Sequence, residues 1–152
     1  MRALGLPVLH KFGFLAPLAL RVGVGIVFLV HGLSKLENGP ATAFSGMLTG
    51  LSVPAPTLFA WLVTIAELVG GIMLIAGLLT RLVTLPLIAT MIGAIFLVKI
   101  DVGIIADMGA GAELDIALLA GLVALLVMGP GRLSIDSMVG IEAGRSQEVS
   151  AH

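Results

Sequence analysis

LFAWLVTIAELVGGIMLIAGLL, residues 58–79, holds a single charge, Glu67. Its apolar residues run continuously rather than alternating, which suits a helix and not a strand of a barrel. At ~1.5 Å per residue such a helix is long enough for a hydrocarbon core of about 30 Å. Glu67 then lies ~14 Å from the Leu58 end. An ionised carboxylate at that depth is costly, and such residues face the bundle interior and mark function. Thr64, Gly71, Leu74 and Leu78 share its face.

Three more stretches of this kind flank it. Leu15–Leu33 carries Arg21, Leu82–Val98 carries no charge, and Leu114–Met128 has Asp115 near its start. The expectation is an all-α integral membrane protein, a four-helix transmembrane bundle. The fourth stretch is short. Counting ~20 residues back from Gly129 draws Glu113 and Asp115 into the outer part of the membrane, and Gly129-Pro130-Gly131 stops the helix. Residues 1–136 read as one transmembrane domain and 137–152 as a polar, flexible tail.

The whole composition agrees. Of 152 residues, 59% are hydrophobic and 11% charged, against roughly 25% charged in a soluble domain. Mean hydropathy is +1.18. A small soluble domain cannot hide so much apolar surface. A water-soluble enzyme, a disordered chain and a nucleic-acid binder are excluded, the last because the net charge is −1. With no cysteine, thiolate metal sites, iron–sulfur clusters and thiol chemistry are excluded too.

Ser34–Thr57, with Gly39-Pro40, Pro54 and Pro56, reads as a loop holding a short amphipathic piece around Ala41–Leu51. Thr80-Arg81 reads as a tight turn and Lys99–Ala112 as a loop. Arg2, Lys11, Arg21, Arg81, Arg132 and Arg145 fall on one side of the membrane, and only Lys35 and Lys99 on the other. Both termini are therefore expected in the cytoplasm, with Glu37, Asp101, Asp107, Glu113 and Asp115 making the outer side acidic. The N-terminal apolar run is too long for a signal-peptide core, so an uncleaved helix is expected.

Arg21, Gly25, Phe28, Gly32 and Lys35 fall on one arc of the first helix, with His31 on its flank. The two glycines allow close approach by a helix or a ligand. This arc reads as a polar headgroup site, or as interfacial anchoring by a snorkelling Lys35. Arg21 is the expected partner of Glu67. The pair would orient a ligand and carry a proton, or only fix helix register. His31 reads as a metal or haem ligand, a proton shuttle or a hydrogen-bond partner of a quinone, or as an ordinary interfacial polar contact, the commoner case for a lone histidine. His10 and His152 lie outside the spans. One good histidine with scattered carboxylates makes no zinc site, so no metal is expected. Glu113 shares a face with Ala117, Ala120 and Ala124 and is expected to turn inward, with Lys99 or Lys35 to neutralise it. Asp115, two residues on, is expected in solvent.

Taken in order, Arg21 with Gly25 and Phe28, His31-Gly32-Leu33-Ser34-Lys35-Leu36, Glu67-Leu68-Val69-Gly70-Gly71, Gly77-Leu78-Leu79-Thr80-Arg81 and Gly129-Pro130-Gly131-Arg132-Leu133-Ser134-Ile135-Asp136 resemble the DoxX family of small bacterial and archaeal membrane proteins. The resemblance covers Leu15–Asp136. It implies four transmembrane helices in a bacterial or archaeal plasma membrane. Its implication for activity is looser: some relatives are described as membrane subunits of thiosulfate:quinone oxidoreductase or of a quinol oxidase, others belong to oxidative-stress complexes or protein maturation.

The expectation is an accessory membrane subunit of a quinone-linked redox system. Glu67 and His31 would be its catalytic candidates, and Arg21, Lys35 and Glu113 its ligand-binding ones. No cofactor is evident in the sequence beyond a quinone or lipid, so electrons must come from a partner protein or a bound group. The bilayer, a redox partner and a second copy of the chain are the expected partners. A non-catalytic scaffold recruiting a soluble protein is the alternative. A small transporter or proton pathway is less favoured, because the sequence shows no inverted repeat or discontinuous helix pair.

Overall fold

The computed structural model describes residues 12–106 and 111–141. Arg2, His10, Lys11, Asp107, Arg145, His152 and both termini lie outside them. The described residues form helices and turns, with no strand. In chain order these are α1 (Ala16–Glu37), a π-helical turn at Gly39–Phe44, α2 (Ser45–Gly50), α3 (Pro56–Ala76), α4 (Thr80–Gly93) with a π-helical continuation at Ala94–Val98, α5 (Glu113–Met128) and the short α6 (Ile135–Met138).

Three helical stretches, Gly13–Glu37, Pro56–Ala76 and Thr80–Val98, are long and apolar enough to cross a membrane. The fourth, α5, has 16 residues and is ~24 Å long, shorter than the hydrocarbon core. Large apolar side chains such as Val30, Leu62, Ile72, Leu82, Phe96 and Val127 are exposed around the outside. Water would penalise that surface, whereas lipid tails are as apolar as leucine and do not.

Helix ends follow local chemistry. Pro56 stands at the first position of α3, where its missing N–H costs nothing. Gly77, at φ +68°, ends α3 with its N–H on the Leu74 carbonyl. The turn is therefore Gly77–Leu79, and Thr80-Arg81, expected as the turn, opens α4 instead. Leu79 also adopts a left-handed conformation, φ 47°, which a side chain beyond Cβ disfavours. It is held there by Asp136, whose Oδ1 accepts the Leu79 N–H at 2.7 Å and whose Oδ2 accepts the Thr80 N–H at 2.9 Å. The carboxylate so caps α4 from 56 residues away. The Asp136 N–H returns a bond to the Gly77 carbonyl at 2.9 Å. Ser137 donates to the Arg132 carbonyl at 2.6 Å, so the segment expected as tail begins as part of this clasp.

α1 and α3 pack backbone to backbone. A Cβ on Gly71 would lie 2.7 Å from the Leu29 nitrogen, and one on Gly32 would lie 2.8 Å from the Leu68 nitrogen. Only glycine permits that approach. The helices are antiparallel: moving from Gly25 to Gly32 on α1 shifts the contact from Ile75 back to Leu68 on α3. The core is completed by Val24, Phe28, Leu74, Leu87, Met91, Leu118, Leu122 and Leu125.

Candidate functional site

This antiparallel register decides which charges meet. Followed toward the start of α1, it brings Arg21 to the α3–α4 turn. Followed toward the end, it brings Lys35 to Glu67. Lys35 Nζ donates to Glu67 Oε2 at 2.5 Å, with side chains 22% and 3% exposed respectively. The expected Arg21–Glu67 pair is thus corrected. Arg21 and Lys35 sit 14 residues apart on one helix, ~21 Å of rise, and Lys35 is the partner.

Arg21 is 1% exposed. Its Nη2 donates to the Leu133 carbonyl, and a Cβ on Gly77 would collide with its Nη1. The fully buried Asp136 carboxylate is an opposite charge at the same end of the bundle, bonded to backbone N–H groups rather than to the guanidinium. Among the described residues, Arg21 Nε and Nη1 and Thr80 Oγ1 make no hydrogen bond. The surroundings of Arg21 are packed protein.

Glu67 has different surroundings. It borders a half-open cavity of about 480 Å³ lined by the ends of α1 and α4, the first half of α3, the start of α5 and the 39–53 segment. Small-molecule sites are typically 300–1,000 Å³. Most of its wall is apolar, including Met47, Phe59, Val63, Met91, Leu97 and Val98. The polar residues on it are His31, Lys35, Glu67, Thr90 and Asp115. The Lys35 ammonium also lies 5.2 Å from the centroid of the Phe44 ring, a cation–π distance. Lys35, Phe44 and Met47 separate this cavity from a second one of about 270 Å³ that reaches Ser34 and Asn38. Among the described residues, the amphipathic piece expected in the first loop supplies this roof.

Of the residues singled out from the sequence, His31, Lys35 and Glu67 come together at the cavity. Arg21 does not, and neither does Glu113, which is exposed. The inward-facing carboxylate is Asp115. Ala117 and Ala120 face outward, while Leu118, Leu122 and Leu125 are buried. Asp115 is on the leucine face, three and seven residues before Leu118 and Leu122. That leucine stripe was the signal in the sequence; the alanines drew attention to the wrong side. Thr90 was also missed, being one polar group in an uncharged run.

The α1–α3 seam and the Lys35–Glu67 pair fall within residues 16–100, which match a family model, DoxX. The chain belongs to the DoxX family. It is 36% identical over 138 residues to an "Uncharacterized membrane protein Rv3486" of Mycobacterium tuberculosis, covering 85% of this chain and 84% of that one. It is also 36% identical over 132 residues to the "Putative oxidoreductase CatD" of Bacillus subtilis, covering 86% of this chain and 92% of the relative. No solved structure matches the chain at a significant level. This DoxX protein is a membrane protein, and its apolar outer surface is in contact with lipid.

Proposed function

We propose that this DoxX protein is a membrane subunit of a quinone-linked redox system, and that the cavity headed by Lys35–Glu67 receives the ring of a quinone-like lipid. The observation that carries this reading is the cavity itself: a half-open, mainly apolar cavity of about 480 Å³ with its polar residues drawn from four helices. A lipophilic tail is served by the apolar wall, and a ring bearing oxygens by the polar head. Glu67 can hold or release a proton next to a ring oxygen, Lys35 can donate to it, and His31 can exchange protons at its edge. The relative named an oxidoreductase supports the redox setting. Electrons come from a partner protein or bound group, since no side chain here carries them.

In this reading α5 makes the fourth crossing, and both termini face the cytoplasm of a bacterial plasma membrane. Arg21 is part of a structural clasp with Asp136. The scaffold alternative draws on one observation: Lys35 and Glu67 already satisfy each other at 2.5 Å, as a purely structural pair would.

The test is equilibrium binding of a decyl-tailed benzohydroquinone, kept reduced under anaerobic conditions, to the purified protein in lipid nanodiscs. The expected result is saturable binding, weakened about tenfold or more in Glu67→Gln and several-fold in His31→Ala. Equal binding by all three proteins, with the variants still folded, favours the scaffold.

A further inference from the structure

The hydrogen-bonding capacity left at the cavity head is lopsided. His31 Nδ1 lies 2.9 Å from the Val27 carbonyl. A carbonyl only accepts, so Nδ1 carries the proton, and in the neutral ring Nε2 is left as an acceptor. Thr90 Oγ1 spends its proton on the Pro86 carbonyl at 3.0 Å, leaving lone pairs. Glu67 receives Lys35 on Oε2, and its Oε1 retains acceptor capacity. Asp115 brings two more acceptor oxygens. Against these stands, among the described residues that line the cavity, one side-chain donor, the Lys35 ammonium, already turned to Glu67 and the Phe44 ring.

Charge narrows the choice further. Counted formally, with both carboxylates ionised and His31 neutral, Lys35, Glu67 and Asp115 sum to one negative charge. An anionic carboxylate or phosphate headgroup meets repulsion beside them in a mainly apolar cavity, where charge interactions are stronger than in water. A cationic head would have to share Glu67 with Lys35 Nζ and meets repulsion there. The head that fits is uncharged and rich in O–H donors.

We infer that the cavity selects the reduced, hydroxyl-bearing form of its ring ligand over the oxidised, carbonyl-bearing form, with Glu67 and Asp115 as the residues that set the preference. A hydroquinone offers two donors to this surplus of acceptors. The matching quinone has acceptors alone, and only Lys35 can answer them. Hydrogen bonds to a carboxylate are about twice as strong as neutral ones, so two carboxylates suffice for a preference of about tenfold. Preferential binding of the reduced form raises the midpoint potential of the bound couple, by about 30 mV for a tenfold ratio in a two-electron couple. Asp115 is then a specificity residue supplied by a different helix from Lys35 and Glu67.

This inference rests on the cavity being a ring-ligand site, and the experiment separates the two. Binding of decyl-benzoquinone and of its hydroquinone is measured anaerobically, on the same full-length protein in nanodiscs, by equilibrium dialysis. Because the chain has no cysteine, the oxidised form has no thiol to attack. The expected result is hydroquinone binding about tenfold tighter, with the ratio falling several-fold in Asp115→Asn and in Glu67→Gln, each of which exchanges an acceptor for a donor. Asp115 is only half-buried, so its variant keeps the test open if Glu67→Gln fails to fold. Equal binding of the two forms, tighter quinone binding, or a ratio unmoved in Asp115→Asn overturns the inference and leaves the site standing. Binding of neither form overturns both.

Discussion

Two basic residues on the same face of α1 meet different fates. Arg21, near the start of the helix, is closed in by Gly77, Leu133 and the Asp136 clasp. Lys35, near its end, pairs with Glu67 on the wall of a cavity of about 480 Å³. Both lie in stretches apolar enough to cross a membrane, and depth in the sequence does not distinguish them. What does is free volume beside the charge. A buried charge sealed in packed protein can only hold the fold together, whereas one facing a cavity can act on a ligand.

The sharpest way to break this contrast is at the clasp. Asp136→Ala strips two backbone N–H groups of their acceptor, removes the support for the left-handed Leu79 and leaves Arg21 without a balancing carboxylate. A loss of about 3–5 kcal/mol is expected, read as a large fall in melting temperature in detergent. The fraction still folded should bind ligand normally. If Asp136→Ala instead abolished binding at full stability, Arg21 would belong to a functional site and the contrast would fail. Gly77→Ala attacks the same end through sterics. Its Cβ would collide with Arg21 Nη1 at a φ of +68°, so about 2–3 kcal/mol of destabilisation is expected in the same assay.

At the other end the balance reverses. Glu67→Gln leaves a hydrogen-bond acceptor for Lys35, and Lys35 is itself 22% exposed. About 1 kcal/mol of stability should be lost, while affinity for the reduced, hydroxyl-bearing ring ligand should fall about tenfold or more. A melting curve and a binding isotherm on the same sample decide it. A collapse in stability with binding intact in the folded fraction would make Glu67 a register pin like Asp136.

Much of this was legible in the chain. Continuous apolar runs locate the helices, because a lipid-facing helix has no polar side to interrupt them. Gly25 and Gly32 on one arc announced the close α1–α3 approach. Pairing was less legible. A helix face tells which residues share a direction, but which partner they meet depends on antiparallel register, and that is seen only in the contacts of Gly25 with Ile75 and of Gly32 with Leu68. That register places Lys35 rather than Arg21 beside Glu67. The role of Asp136 was hidden for another reason. It acts on backbone N–H groups 56 and 57 residues away, and backbone donors leave no mark in a residue pattern.

The finest version of the comparison uses two carboxylates two positions apart on α5. Glu113 and Asp115 point ~200° away from each other on a helix. Both are first-turn acidic residues that favour the positive end of the helix dipole, so charge-removing variants share that small loss. Glu113 is exposed and Asp115 lines the cavity. Glu113→Gln should therefore stay within about 0.5 kcal/mol of the parent in stability, with ligand affinity unchanged. Asp115→Asn should match it in stability but shift the balance between reduced and oxidised ligand. The pair holds residue type, charge change and helix end nearly constant and varies only the direction of the side chain. A response at Glu113 equal to that at Asp115 would mean that a diffuse negative field attracts the ligand, and the cavity wall would lose its claim to specificity.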